Sequence, residues 1–367
     1  MPTICLAMIV KNESRVIERA LCSVIGYIDH WVICDTGSTD GTHDIIRKTL
    51  EGIPGELHDV AWVDFGTNRT QVIQLACKSG CDYVLVLDAD LTLKVVDMRF
   101  KDKLTADAYD IRYEGNLDYV NTRLVSTKLD WRYIGVTHEY LWTPAELTTL
   151  PLRHVTLVDF SDGGNRVDKF ERDIRLLTES LKNNPGNSRD VFYLAQSYRD
   201  IGHYGNALYW YERRSVMGGW DEEQWYATFQ LAVMKEKIGI RWDQVRDAYL
   251  SAYELRPTRL EPLHALAKYL RERGKGPIAW IYACMWRNDF PYPLDRLFID
   301  RPVYEYQMAL EFALCAEEVG FRNLAHQAYK HVLDQEKLPW MIMTIAKEGH
   351  DRSAARSSSV LVGTAGR

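Results

Sequence analysis

The stretch that most constrains this chain is Tyr83-Val84-Leu85-Val86-Leu87-Asp88-Ala89-Asp90, an apolar run that ends in two aspartates one residue apart. The run is too short for a globular helix and suits a strand buried on both faces of a parallel sheet. Along an extended chain, residues two apart project to the same side, so both carboxylates face one point. Clustered carboxylates repel unless they are paired. A hard divalent cation, Mg2+ or Mn2+, relieves that repulsion and in turn grips phosphate. The alternative is a strand entering a turn, with one aspartate capping it and the other solvated.

The 367 residues suffice for two domains with substantial cores. No apolar run has the length of a membrane span, and Met1-Pro2-Thr3-Ile4-Cys5 lacks the pattern of a secretion signal. Seven cysteines without a C-x-x-C pair argue against a disulfide framework. Cys5, Cys34, Cys284 and Cys315 sit among apolar neighbours, as reduced buried residues do. A cytoplasmic protein is the expectation. The net charge of −6 falls almost wholly before about residue 160, which gives no electrostatic footprint for wrapping nucleic acid.

Strand and helix alternate through the first ninety or so residues. Thr3–Val10 predicts a strand, and Asn12 or Ser14 is placed to cap a helix reaching about Ile25. Trp31–Cys34 predicts a second strand ending in Asp35-Thr36-Gly37-Ser38-Thr39-Asp40-Gly41-Thr42, before a helix over Asp44–Leu50. A weaker strand follows at Glu56–Val60 and a helix at Thr67–Ser79. In a mostly parallel sheet the ligands lie outside the strands' carboxyl ends, which brings Lys11-Asn12-Glu13, Asp35 and Asp88/Asp90 to one rim. Such convergence suits a nucleotide with a metal-bound diphosphate, with Asp35 accepting hydrogen bonds from base or ribose. The absence of G-x-x-x-x-G-K-[ST] excludes a P-loop nucleotide hydrolase, and no G-x-G-x-x-G follows the first strand.

Met8-Ile9-Val10-Lys11-Asn12-Glu13, then Val32–Thr42, then Asp88-Ala89-Asp90 resemble the signature blocks of glycosyltransferase family 2, in the family's order. The resemblance implies the GT-A fold, a nucleotide-diphosphate-sugar donor (UDP-sugar first), a Mn2+ or Mg2+ ion and inversion at the anomeric carbon. It implies donor contacts from Val10, Asn12, Glu13, Asp35, Gly37, Arg69, Asp88 and Ala89. Asp90 is then the principal metal ligand, with Asp88 on ribose or on the metal. Asp130–Leu141 is similar to the W-R-x-x-G-x-x-H-E segment of members that carry helical repeats. Glu139 is expected there as the base that deprotonates the acceptor, with His138 beside it; the alternative is a Glu139 that pairs with Arg132. His154 is expected to complete the metal site, and His138 competes for that role.

Tyr109–Tyr113 and Asn121–Val125 predict further strands. Ser161-Asp162-Gly163-Gly164-Asn165 reads as a linker or flap, which places the transferase domain at 1–160, the linker at 161–170 and helical repeats at 171–345. Leu194-Ala195, Tyr198, Gly202, Tyr204, Ala207 and Tyr211 match tetratricopeptide spacing. Looser copies follow at Leu231–Pro257, Leu266–Ala279 and Phe312–Tyr329. Residues 351–367 have the composition of a disordered tail. The fold class expected is therefore α/β GT-A plus an all-α tetratricopeptide-like solenoid.

The function expected is metal-dependent, inverting, hexosyltransferase-type transfer to a hydroxyl or a thiol. Helical repeats beside a transferase domain point to a macromolecular acceptor: a protein or peptide first, then a cell-envelope glycan or small molecule, then a hydroxylated DNA base. The alternative is a catalytically silent domain whose tetratricopeptide scaffold binds a partner protein.

Overall fold

The computed structural model describes residues 1–114, 120–163, 168–286 and 290–355. Contacts divide the chain into two units, residues 1–185 and residues from 186 onward.

The first unit is built on an eight-stranded sheet. Its strands are β1 Ile4–Val10, β2 His30–Asp35, β3 Gly55–Asp59, β4 Tyr83–Val86, β5 Leu91–Val95, β6 Ala108–Glu114, β7 Val120–Ser126 and β10 Thr149–Asp159. The spatial order is β3-β2-β1-β4-β7-β6-β10-β5. The first four in that order are mutually parallel, whereas β7 runs antiparallel to both β4 and β6. A separate hairpin joins β8 Arg132–Ile134 to β9 Tyr140–Trp142. Helices α1 Ile17–Cys22, α2 Thr42–Thr49 and α3 Phe65–Ala76 connect the parallel strands.

The period-two alternation of β1 explains its burial on both faces. Ile4, Leu6, Met8 and Val10 enter one core with Ile17, Ala20 and Leu21 of α1. Cys5 and Ala7 enter another with Val72, Ile73 and Ala76 of α3 and the buried Trp131. Burial pushes the Cys5 thiol up to about 12 and the Cys34 thiol up to about 11. Cys284, expected inside, is exposed just past the end of a later helix.

The starts of α1 and α3 differ from expectation, and α2 begins at Thr42, two residues before the expected Asp44. Helix α1 begins only at Ile17 and has no side-chain cap. Asn12 and Ser14 are held by the neighbouring loop instead: Asn12 Oδ1 accepts from Thr39 N at 2.8 Å, and Ser14 N donates to Asp40 Oδ2 at 3.0 Å. Helix α3 begins two residues early because Asp64 caps it, accepting from Thr67 N at 2.7 Å.

The unit boundary also falls later than the 161–170 stretch. Helix α4, Lys169–Asn183, groups with the sheet, and its buried Asp173 accepts from Thr137 Oγ1 at 3.0 Å. Gly164 and Asn165 of the expected linker lie outside the described residues.

The second unit is a series of tetratricopeptide-like helix pairs: α5 Ser188–Asp200 with α6 Tyr204–Ser215, α7 Asp221–Lys237 with α8 Trp242–Leu255, α9 Glu261–Arg271 with α10 Gly276–Ala283, and α11 Met308–Glu318 with α12 Arg322–Leu333. Helix α13, Trp340–Ala355, follows. Residues 351–355, expected in a disordered tail, belong to α13, and 356–367 lie outside the described residues.

All four pairs turn in the same way. Gly202, Gly239, Gly274 and Gly320 have φ of 78°, 74°, 69° and 90°. The next residue's N–H reaches back to the carbonyl of Tyr198, Lys235, Leu270 or Ala316 respectively, the Schellman closure that favours glycine in the left-handed region. Space beside Gly202 is open, so a substitution there costs backbone strain alone. Gly202→Ala is expected to lower stability by about 1 kcal/mol. Gly205→Ala, inside α6 with ordinary φ and open space, should leave it unchanged or raise it by about 0.5 kcal/mol. Chemical denaturation of the two variants checks both.

Candidate active site

The site lies at the carboxyl ends of β1, β2 and β4. Pairing sets Val10 beside Asp35, with β4 on the other side of β1. The loop after β2 is built on Asp35, whose Oδ1 accepts from Gly37 N and Ser38 N, both at 2.7 Å. Asp40 closes the loop. Burial raises its pKa, but hydrogen bonds from Thr42 and Ser14 prevail and hold it down at about 2.

Beside this loop runs a chain of alternating charges. Arg69, in the first turns of α3, donates through Nη2 to Asp88 Oδ1 at 2.5 Å, and its Nε lies 2.7 Å from Glu139 Oε1 in an ion pair. Arg123 of β7 donates to the other oxygen of Asp88 and to the Tyr113 hydroxyl, both at 2.9 Å. These side chains are only 10–24% exposed. Burial opposes the charge of Asp88, but Arg123 and Arg69 outweigh it and hold the carboxyl well below the usual range.

Glycine makes the approach possible. A Cβ on Gly66 would stand 2.1 Å from the carbonyl oxygen of Gly135, so only glycine lets α3 press on this segment. Phe65 N donates to Val136 O at 3.1 Å, and Tyr133 N donates to Thr70 Oγ1 at 2.8 Å. Residues 133–139 are thereby fixed on α3, and Glu139 faces Arg69 rather than Arg132, which pairs with Asp130. His138 adopts φ 50°, and its Nε2 lies 3.6 Å from Asp173 Oδ2.

A cavity of about 230 Å3 opens onto this network. Of the residues expected at the donor, Val10, Glu13, Arg69, Asp88, Ala89 and Asp90 line it, and Thr36 joins them. Asn12, Asp35 and Gly37 shape the adjoining loop, and Glu139 is linked to the cavity through Arg69. Lys169 and Arg172 from α4, with Trp62 and Phe65, complete the walls.

The metal assignment of His154 is corrected, and Asp88 stands within the ion-pair chain. Both oxygens of Asp88 are engaged by arginines, so its charge is compensated without a cation. His154 is exposed on β10 and its carbonyl accepts from Val96 N. Strand β10 runs antiparallel to β5, pairing Asp159 with Leu91. The chain therefore returns to Asp90 at Asp159 and Phe160, where Phe160 N donates to Asp90 O at 3.2 Å. His154 lies five residues further back, about 16 Å at strand rise. Asp90, a cavity-wall carboxylate beside Gly163, fits a cation that keeps water and phosphate oxygens as its other ligands.

Sequence reasoning missed Arg123, Lys169, Arg172 and Asp173. Arg123 carried a signal, a charge within an otherwise apolar strand end; the three α4 residues carried none.

Residues 5–99, within the first unit, match the model of glycosyl transferase family 2. A glycosyltransferase of Bacillus subtilis, the SPbeta prophage-derived SunS, is 25% identical over 215 residues, which are 53% of this chain and 49% of that protein. A TPR repeat-containing protein of Synechococcus elongatus is 37% identical over 91 residues, 24% of this chain and 21% of that protein. The chain thus spans half or less of the length of these relatives. Among solved structures, the C-terminal part of a TPR repeat-containing protein from Cytophaga hutchinsonii aligns over 54% of this chain and 70% of its own, at 15% identity and a TM-score of 0.41.

Two outcomes follow from the charges. Arg69→Ala strands the largely buried Glu139 and leaves Asp88 with Arg123 alone, and is expected to cost about 3 kcal/mol, read by denaturant unfolding. Asp40 and Asp88 both titrate below their ordinary 3.8 when folded. Their stabilisation is therefore complete above pH 3.8 and is lost as the pH falls toward and below about 2. Melting temperatures between pH 5 and 2 should fall less steeply in Asp40→Ala than in the wild type.

Proposed function

We propose that this protein transfers a sugar from a nucleotide-diphosphate-sugar, UDP-sugar first, to a hydroxyl or thiol with inversion. The observation that carries the reading is Arg69, which joins Asp88 on the donor side to Glu139, the carboxylate expected as the base. The nucleoside lies against Val10 and Thr36, and the diphosphate meets Arg69, Lys169 and Arg172. Asp90 holds Mn2+ or Mg2+, which when bound neutralises the leaving diphosphate. Glu139, oriented by Arg69, takes the acceptor proton during attack. His138, near Asp173, steadies the peptide that carries Glu139.

The helical repeats favour a protein or peptide acceptor, ahead of a glycan or a hydroxylated DNA base. No helix among the described residues is long and apolar enough to cross a membrane. The pairing of Asp88 with two arginines also supports a second reading: a silent domain needs no cation to hold these carboxylates together, and the repeats then serve as a protein-binding scaffold. Incubation with UDP-sugars and Mn2+ separates the two readings. The transferase releases UDP, and Asp90→Ala and Glu139→Gln each slow transfer about 100-fold or more. Undiminished transfer in both variants would contradict these roles, and no turnover with any donor would favour the scaffold.

A further inference from the structure

The loop after β2 carries a second group of ligating atoms, outside the cavity that holds Asp90. Strands β2 and β3 are parallel neighbours with Asp35 paired to Asp59, so the two carboxylates share one edge of the rim. The first turn of α2 brings His43 between them. Its Nε2 lies 3.2 Å from Asp35 Oδ2 and 3.3 Å from Asp59 Oδ1, and the three atoms lie within 4.8 Å of one another.

We propose that Asp35, His43 and Asp59 bind one divalent transition-metal ion of the zinc class, with water at the remaining position. Asp35 is 1% exposed, and its carboxylate cannot turn because Oδ1 is held by Gly37 N and Ser38 N. Its buried Oδ2 accepts no hydrogen bond, and the buried Nε2 of His43 makes none either. Leaving a buried carboxylate oxygen without a partner is costly, and the close contacts to His43 do not have the direction that would satisfy it.

Their lengths fit a different arrangement. Ligands about 2.0–2.1 Å from a tetrahedral ion stand about 3.3–3.4 Å apart, close to the 3.2 and 3.3 Å that separate His43 Nε2 from the two carboxylates. One imidazole nitrogen with two carboxylate oxygens is a donor set that suits zinc, and three protein ligands with an open position is a recurrent zinc geometry. The Asp59 side chain, 82% exposed, leaves a route for the ion and its water. A bound ion would brace the loop over residues 36–42 at the edge of the cavity.

The full chain, stripped with chelator and returned to about pH 7.5 with excess Mg2+ to fill hard-ion positions, is titrated with Co2+ and then with Zn2+. The expected result is one equivalent bound, tetrahedral Co2+ absorption bands displaced by Zn2+, and at least tenfold weaker binding in both His43→Ala and Asp59→Asn. Asp90→Ala should bind as the wild type does. Absence of binding, unchanged affinity in folded His43→Ala or Asp59→Asn, or loss of the ion in Asp90→Ala would each overturn the proposal. Circular dichroism confirms that the variants are folded, and the exposure of Asp59 makes Asp59→Asn the safer of the two. Asp35 is also the residue expected at the donor's base or ribose, so the substitutions are placed at His43 and Asp59, which the donor reading does not use, and their effect on ion binding is read without any donor present.

Discussion

One guanidinium holds this site together. Arg69 stands between Asp88 and Glu139, and Asp88 in turn stands between Arg69 and Arg123. The order Glu139, Arg69, Asp88, Arg123 alternates in sign and sums to zero, so each largely buried charge has a partner. Removing one member leaves a neighbour uncompensated in a poorly solvated place, which costs far more than the intact pair contributes. Arginine suits the role because its planar fork presents donors in several directions and stays ionised when buried.

That arrangement depends on elements far apart in sequence. Arg69 comes from α3, Asp88 from the end of β4, Arg123 from the antiparallel β7, and Glu139 from the turn between β8 and β9. Two glycines make the juncture possible: Gly66 admits the carbonyl of Gly135, whose own φ of 107° turns the chain toward Glu139. Helix α4 then contributes Asp173 behind Thr137 and His138, and Lys169 and Arg172 to the cavity. The chemistry proposed for the first unit rests on this meeting of donor-side and acceptor-side residues.

Much of the fold was legible because it is written in short-range signals. The β1, β2 and β4 segments are continuous apolar runs, which specify a parallel sheet buried on both faces, and the rim residues follow from topology. The glycines at 202, 239, 274 and 320 mark the turns of four helix pairs through a backbone requirement that only the local sequence has to meet. Residues 107–160 were harder, since antiparallel strands there return along a path that local pattern does not encode. His154 was therefore placed near Asp90, although the direction of β10 brings Asp159 and Phe160 there instead. The partner of Glu139 was equally out of reach, because Arg69 and Arg132 are both plausible in sequence and only the packing at Gly66 decides between them. Asn12 and Ser14 looked like helix caps, but a neighbouring loop competes for the same hydrogen bonds and wins.

The central claim is that the cavity beside Arg69 binds a nucleoside diphosphate through a cation held by Asp90. Calorimetric titration of the full chain with UDP, with Mn2+ and then with chelator, tests it most directly. The account predicts saturable one-to-one binding in Mn2+ that disappears with chelator and in Asp90→Ala. Equal UDP affinity with and without the ion, or no binding in either condition, would contradict it.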